Sequence, residues 1–294
     1  MTILNHFINT IKMQDIATLN TIATQVRRDI IRMVSAVQSG HPGGSLGTAD
    51  FMTALYFDVL NHDPKHFTRD GIGQDMFFLS IGHVSPVWYS VLARSGYFDV
   101  KELATFRKIH SRLQGHPTTA EGLPGVRIAS GSLGQGLSVA CGAALAKRLN
   151  GDKHLVYSLH GDGEIQEGQI WEAAMFASGR KIDNIIATID CNGKQIDGPV
   201  EEVMPEGDLE AKWKSFGWLV VRMNGNDMQD VLRGLAEAKS LTGKGKPVAI
   251  LMKTEMGQGV DFMMGTHAWH GKAPNAEQTE KALAQLPVTE LGDY

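Results

Sequence analysis

The sequence predicts an α/β fold: a doubly wound, mostly parallel sheet with helices on both faces. Short apolar runs alternate with segments whose apolar residues recur at helical spacing, the pattern of repeated strand–helix–strand units. The clearest unit is 155–192, where apolar runs at 155–159 and 184–189 flank a helical stretch. The 294 residues are 43% hydrophobic and show no repeat or linker. These features favour a single domain that spans residues 1–294.

The first half of the chain is assigned from helical periodicity and from Gly and Pro breaks. The predicted elements are helices at 14–38 and 46–60, a buried strand at 76–80, helical segments at 84–95 and 99–109, a loop at 110–136 and a helix at 136–149. The loop is rich in Gly, Pro and Ser, and a loop of this length inside a compact domain is usually functional.

The second half begins with the 155–192 unit and continues the same alternation. It is predicted to hold an irregular stretch to about residue 206, a helix at 208–216, a strand at 218–222, a helix at 227–239, a last parallel strand at 247–252 and a long loop at 255–275.

A Gly-Asp-Gly turn, Gly161-Asp162-Gly163, follows the first apolar run of that unit, and Asn192 follows the second. A right-handed crossover makes the two strands parallel and often neighbours, so Asp162 and Asn192 should meet at the carboxyl edge of the sheet. A carboxylate and an amide oxygen suit Mg²⁺, and Gly163 would let a phosphate approach the next helix. Alone, the triplet also fits a strand-to-helix turn with an N-capping Asp.

Histidines next to Gly or Pro occupy four loops, at His41, His83, His116 and the pair His267 and His270. A lone loop histidine is usually solvated or a cap. Several that follow strands at one sheet edge favour function, because imidazole exchanges protons near neutral pH and donates to phosphates or sugar hydroxyls.

Composition narrows the class of protein. A net charge of −4 gives no reason to expect nucleic acid as a partner. The two cysteines, Cys141 and Cys191, make neither a disulfide framework nor a zinc site. No run approaches the ~18 apolar residues of a membrane span. Met1–His6 lacks the features of a signal peptide, so a cytoplasmic location is expected.

An Asn placed 30 positions after the Asp of a GDG triplet is the thiamine-diphosphate signature. The sequence of the motif in this chain, GDGEIQEGQIWEAAMFA with IDCNGKQIDG, resembles transketolase. The loops SGHPGG, IGHVS, GHP and GTHAWHG also resemble segments of that family. SGSLGQG resembles its GPLGQG segment, with Ser132 in place of Pro. The resemblance covers roughly residues 20–275 in the family's order.

The resemblance implies roles for individual residues. Substrate, diphosphate and reacting oxygens would be contacted by His41, His83, His116 and His270. The metal, Mg²⁺ or Ca²⁺ or Mn²⁺ in its place, would be held by Asp162, Asn192 and the backbone carbonyl of Lys194. The cofactor set is His83, Gly131, Ser132, Leu133, Asp162, Gly163, Glu164, Asn192, Lys194 and His270. Lys194 stands where the family usually has an apolar residue, which a backbone ligand tolerates. Glu167 matches a family glutamate near the interface with the partner domain, although a structural role as a helix-surface residue fits it as well. His267 matches a motif position but is the weaker candidate among the histidines.

The resemblance also implies transfer of a two-carbon ketol unit from a ketose phosphate to an aldose phosphate. The pyrimidine-binding and carboxy-terminal domains of a transketolase are absent here, so they are expected on a separate subunit, in an α2β2 assembly. The loop 255–275 is expected to present an apolar surface to that partner, through Met256, Val260, Phe262, Met263, Met264 and Trp269.

Three alternatives stay open. The alpha subunit of a 2-oxo acid dehydrogenase also carries GDG and Asn, although the histidine loops suit polyhydroxylated sugars better. A transketolase-like enzyme for another sugar fits the same motifs. A non-catalytic paralogue is disfavoured by the intact Asp162, Asn192 and loop histidines.

Overall fold

In the computed structural model, which describes residues 15–294, a five-stranded parallel sheet forms the centre of the chain. The strands of this sheet and of a small antiparallel ribbon are β1 (Met76–Leu79), β2 (Val156–Gly161), β3 (Ile185–Cys191), β4 (Lys194–Gln195), β5 (Gly198–Pro199), β6 (Leu219–Asn224) and β7 (Val248–Lys253). The order across the large sheet is β1-β2-β3-β7-β6, and β4 pairs with β5 in the ribbon.

Helices cover both faces of the large sheet. They are α1 (Ile16–Ala36), α2 (Pro42–Gly47), α3 (Ala49–Ala54), α4 (Ser85–Arg94), α5 (Gly136–Leu149), α6 (Gly168–Gly179), α7 (Val200–Val203), α8 (Leu209–Ser215), α9 (Met228–Leu241) and α10 (Ala276–Gln285). None of the described helices is long and apolar enough to span a membrane. Met1–His6, for which the sequence predicts no signal peptide, lies outside the described residues.

Alternate side chains of the strands enter two separate cores. On β1, Phe77 and Leu79 pack with α1, α3, α4 and α9, whereas Met76 and Phe78 pack with α5 and α6. The inner strands β2, β3 and β7 are buried almost throughout, as expected for a parallel sheet covered on both faces. The doubly wound α/β prediction is therefore confirmed.

The predicted helices at 46–60 and 99–109 differ from the structure. The first is divided at Thr48 into α2 and α3 and then widens into a π-helical turn at Leu55–Val59. The second is only a 3₁₀ turn, Val100–Thr105, because Arg107 adopts a φ of 55° that no right-handed helix accommodates.

Helix α10, the ribbon β4–β5 and the four-residue helix α7 were absent from the prediction. Helix α10 follows the loop 255–275 and begins with a capping box between Asn275 and Gln278. Among its residues only Ala282 is fully buried, so this helix adds little to the core. The ribbon β4–β5 lies in the stretch expected to be irregular, and its two-residue strands are too short to show an alternating pattern.

The expectation that the loop 255–275 presents an apolar surface is wrong for most of its members. Met256, Val260, Met263 and Trp269 are buried in the chain's own core, and only Met264 is exposed among the large apolar residues named for this loop. The backbone is pinned to Gly43, which donates to Trp269 O (3.1 Å) and accepts from Gly257 N (2.9 Å).

Ion pairs attach residues near the end of the chain to α1. Asp293 accepts hydrogen bonds from Arg28 Nη2 (2.7 Å) and Gln25 Nε2 (3.0 Å). Next to it, the fully buried Asp29 pairs with Arg94 through two hydrogen bonds of 2.5 and 2.8 Å. Each carboxylate is paired with a guanidinium group, and this pairing compensates its loss of hydration.

Candidate active site

The carboxyl edge of the sheet opens into a cavity of about 380 Å³. Most residues predicted for the site line it, namely His41, His83, His116, Gly131, Leu133, Asp162, Gly163, Glu164, Asn192, Lys194 and His270. They come from the ends of neighbouring strands of the sheet and from loops that fold over that edge. The structure therefore brings together residues more than 200 positions apart in the sequence.

Asp162 and Asn192 meet as predicted. Strands β2 and β3 are parallel neighbours with Gly161 opposite Asp190, so both residues follow directly at the same edge. The carboxylate of Asp162 accepts from Gly163 N (2.8 Å) and Gly193 N (2.5 Å). Asn192 donates through Nδ2 to Asp190 Oδ2 (2.9 Å), and its Oδ1 accepts from Lys194 N (2.9 Å). These bonds fix both side chains.

Two buried carboxylates lie close together at this edge. Burial and the neighbouring Asp190 raise the pKa of Asp162 to about 7, although backbone N–H donors oppose the rise. Burial raises the pKa of Asp190 to about 6, against hydrogen bonds from Thr254 and Asn192. A cation bound between these two carboxylates and an anionic ligand would compensate the loss of hydration that disfavours their charged forms.

The donor set fits a hard cation. Asp162, Asn192 and the carbonyl of Lys194 offer oxygen ligands only, which suits Mg²⁺ or Ca²⁺ rather than a soft metal. Among the described residues, no group of three or more His, Cys, Asp or Glu side chains could hold a metal ion. A single carboxylate matches a magnesium ion that takes its remaining ligands from phosphate and water.

Four histidines form one side of the cavity. The ring of His41 lies 5.1 Å from His83, 6.1 Å from His116 and 5.7 Å from His270, and His83 lies 5.0 Å from His270. Within the described chain, the Nδ1 atoms of His41 and His270 are buried without a hydrogen-bond partner. Such orphaned polar atoms are costly unless a ligand satisfies them, which fits a polar substrate.

The imidazoles are held neutral. Burial, together with His270, Arg107 and His116, lowers the pKa of His41 to about 4. Burial and the neighbouring histidines hold the pKa of His83 well below its usual range. The pKa values of His116 and His270 are lowered as well, chiefly by burial. A neutral imidazole can accept one proton and donate another, so this cluster can serve as a relay at neutral pH.

Glycines shape the cavity wall where loops approach closely. Gly131 has a φ of 129°, and a Cβ there would lie 2.8 Å from the ring of His116. A Cβ on Gly82 would lie 2.7 Å from the backbone of Ser130. Side chains at these positions would push the loop 130–136 away from the histidines.

Some predicted residues are placed differently. Ser132 is exposed outside the cavity lining, where its Oγ accepts from Gln135 Nε2 (3.1 Å). Glu164 lines the cavity, but its carboxylate is bonded to the chain's own donors. Glu167 is an exposed residue of the cavity rim, and His267 is exposed outside the lining.

Further lining residues were not predicted: Gln166, Asp190, Gln195, Ile196 and Met256. Only Asp190 left a signal in the sequence, as a carboxylate that directly follows the apolar run 184–189. The others lie in the 3₁₀ turn Gly163–Gln166, in the ribbon β4–β5 or in loops, whose positions relative to the cavity the sequence does not define.

Comparisons with known proteins agree with this geometry. Residues 18–289 match the family described as “Transketolase, thiamine diphosphate binding domain”. One subunit of the apulose-4-phosphate transketolase of Actinobacillus succinogenes is 37% identical over 265 residues, covering 90% of this chain and 94% of that protein. One subunit of the 6-deoxy-6-sulfo-D-fructose transketolase of Clostridium sp. (strain MSTE9) is 38% identical over 264 residues, covering 90% and 94%.

A solved structure extends the comparison. The transketolase of Campylobacter jejuni superposes with a TM-score of 0.85 at 34% identity, over 93% of this chain and 43% of that one. This chain thus spans nearly all of the two single-subunit relatives but less than half of that larger enzyme. The chain belongs to the transketolase family and carries its thiamine-diphosphate-binding domain.

Proposed function

We propose that this chain is the diphosphate-binding subunit of a two-subunit transketolase, which transfers a two-carbon ketol unit from a ketose phosphate to an aldose phosphate. The observation that carries the proposal is one cavity that joins the Asp162–Asn192 edge to four neutral histidines. An anion-and-metal site beside a proton relay is what this reaction requires.

The cofactor and metal would be held at the sheet edge. Asp162, Asn192 and the carbonyl of Lys194 would bind Mg²⁺, and the backbone at Gly163 would receive the diphosphate of thiamine diphosphate. When bound, the cofactor supplies the carbanion chemistry that amino-acid side chains lack. Support comes from the oxygen-only donor set and from the two mutually repelling carboxylates at this edge.

The histidines would bind substrate and move protons. Burial, together with nearby positive charge that includes Arg107, lowers the pKa of His41 and of His116, so both rings are available as neutral acids and bases. His83 is the most buried of the four and would contact the cofactor as well. His270 completes the cluster and its free Nδ1 would meet a sugar hydroxyl or the diphosphate.

A separate carboxy-terminal subunit would complete the enzyme. Residues 1–294 would form one diphosphate-binding domain, with the pyrimidine-binding and carboxy-terminal domains on the partner, in an α2β2 assembly. The proposal rests on the two single-subunit relatives, which have nearly the same extent as this chain. Val139 on α5 and Met175 and Phe176 on α6 are exposed apolar residues on adjacent helices, a surface that a partner could cover.

The sugar is the least defined part of the proposal. The relatives are named for apulose 4-phosphate and for 6-deoxy-6-sulfo-D-fructose, so a transketolase for another sugar is the second candidate. A place in the pentose phosphate pathway belongs to the first candidate. A cytoplasmic location is also proposed, because two free thiols suit a reducing compartment.

Reconstitution tests the proposal. The purified chain alone should show no ketol transfer, because activation of the cofactor requires the partner. With the carboxy-terminal subunit, Mg²⁺ and thiamine diphosphate, it should transfer from xylulose 5-phosphate to ribose 5-phosphate. Parallel assays with apulose 4-phosphate and 6-deoxy-6-sulfo-D-fructose decide between the two candidates. Robust activity of the chain by itself would refute the two-subunit proposal.

A further inference from the structure

A buried polar cluster lies behind the cavity wall, between the sheet edge and the loop 131–136. We call it the Glu164 cluster; its members are Ser80, Ser158, His160 and Glu164, all at most 2% exposed. Ser80 follows β1, Ser158 and His160 belong to β2, and Glu164 lies in the 3₁₀ turn Gly163–Gln166. The cluster therefore links three elements at the point where the loop 131–136 meets the sheet.

Both carboxylate oxygens of Glu164 accept hydrogen bonds from this chain. Oε1 accepts from Ser80 Oγ and from Gly134 N, the latter at 2.9 Å. Oε2 accepts from Gly161 N (3.1 Å) and lies 3.3 Å from His160 Nδ1. Three donors of the chain are thus hydrogen-bonded to this carboxylate, and the buried Nδ1 of His160 faces it without forming a hydrogen bond. The cofactor contact implied for Glu164 by the resemblance stays a prediction.

The donors belong to the loop that carries the cavity wall. Gly134 N bonds to Glu164, and Gly136 N donates to Ser80 Oγ (3.2 Å), which itself bonds to Glu164. The backbone at Gly136 packs so closely on Ser80 that a Cβ there would clash with the side chain of Ser80. The two bonds thus fix the loop on either side of Gln135, directly after the lining residue Leu133.

We propose that Glu164 is a positioning residue, which holds the loop 131–136 against β1 and β2 in the shape that receives the ring system of the cofactor. His160 supports it, since its Nε2 is fixed by Ser158 Oγ (2.8 Å) and its Nδ1 faces the carboxylate. The inference rests on the proposed function for the identity of the ligand. The contacts that shape the loop stand without it.

The test uses Glu164→Gln, which keeps the shape of the side chain. An amide replaces one acceptor oxygen by a donor, so either the Ser80–Gly134 side or the Gly161 side loses its partner. In the isolated chain, hydrogen exchange at Gly134 and Gly136 should become about tenfold faster or more, the effect of losing a charge-assisted bond. In the reconstituted enzyme, the Kd of thiamine diphosphate should rise by a similar factor, with kcat at saturating cofactor nearly unchanged.

Three further variants make the result specific. Ser80→Ala removes one donor and should give a smaller change of the same kind, and it carries the test if the Glu164 variant does not fold. Glu280→Gln, the same substitution at an exposed site on α10, should change nothing. Val231→Ala, at a buried position of α9, should lower the Tm without changing the Kd of thiamine diphosphate.

Two outcomes overturn the inference. If Glu164→Gln lowers kcat while the Kd stays unchanged, Glu164 acts on the reacting groups rather than through the loop. If Glu164→Gln changes neither the hydrogen exchange of Gly134 and Gly136 nor the Kd of thiamine diphosphate, the shape of the loop 131–136 does not depend on Glu164. A wild-type chain that fails to bind thiamine diphosphate would instead refute the proposed function, while the exchange measurement still decides the positioning role.

Discussion

The protonation state of each cavity histidine depends chiefly on how far its ring is buried. His41 is covered by the other imidazoles and lies near Arg107, so its positively charged form is disfavoured. The sequence identified all four histidines from their Gly- and Pro-flanked loops. It could not show that they share one cluster, because their distances depend on loops that only the folded chain defines.

The state of His41 can be measured directly. Its C2–H resonance should titrate near pH 4, well below a free imidazole. Between about pH 6.5 and pH 4 the unfolded chain would bind a proton that the folded chain does not. The contribution of His41 to stability is therefore present above pH 6.5 and is lost as pH falls through this window. A midpoint near 6.5 would show that the ring is solvated.

Substitution should separate two roles among the histidines. His41→Ala and His116→Ala should reduce ketose turnover by about 10²-fold or more, with little effect on cofactor binding, if they transfer protons. His83→Ala should weaken cofactor binding as well, because His83 is the most buried ring. Steady-state kinetics and calorimetry on the reconstituted enzyme give both quantities. Equal loss of cofactor affinity in all three variants would disprove this division.

At the scale of elements, sequence patterns were sufficient wherever burial is periodic. Strands β2, β3 and β7 are buried almost throughout, and α1 and α9 have clear apolar faces, so these elements were predicted within a few residues. The missed helix α10 buries only one residue fully, and the strands of the missed ribbon are two residues long. Helix α10 depends on its cap, and the 99–109 segment is interrupted by backbone conformations that propensity does not reveal.

The attachment of the chain end to α1 provides a stability test. The bond from Arg28 holds the pKa of Asp293 well below its usual range, so the stabilisation is present above about pH 4 and is lost as pH falls below it. Asp293→Asn should reduce the free energy of unfolding by about 1–3 kcal/mol at pH 7. Urea unfolding measures this, with the exposed Glu290→Gln as control. Equal midpoints for both variants would mean that the pair contributes nothing.

Across the whole molecule, most of the apolar residues predicted to face a partner are buried in the chain's own core. Loop 255–275 is rich in Met and aromatic residues, but only Met264 of those named is exposed, and backbone hydrogen bonds to Gly43 hold the loop against the core. Composition alone cannot tell a loop that faces a partner from one that faces the core. The exposed apolar residues of α5 and α6 are the better candidates.

If the exposed apolar residues of α5 and α6 bind the partner, a charge placed among them should weaken association. Phe176→Glu should weaken binding of the carboxy-terminal subunit by at least about tenfold, because a charge at an apolar interface must be desolvated. Its own Tm should hardly change, since Phe176 is 43% exposed. Val288→Glu, at an equally apolar but distant exposed position, is the control. Sedimentation that shows unchanged association for Phe176→Glu would place the partner elsewhere.

We propose that Asp162 holds a metal–diphosphate group at the carboxyl edge of β2. The most direct measurement is calorimetric titration of thiamine diphosphate, with Mg²⁺, into the chain reconstituted with its carboxy-terminal subunit. Wild type and the exposed-loop control Asp70→Ala should bind alike, whereas Asp162→Ala should lose measurable binding with an unchanged circular dichroism spectrum. Wild-type affinity in the Asp162 variant would contradict the account.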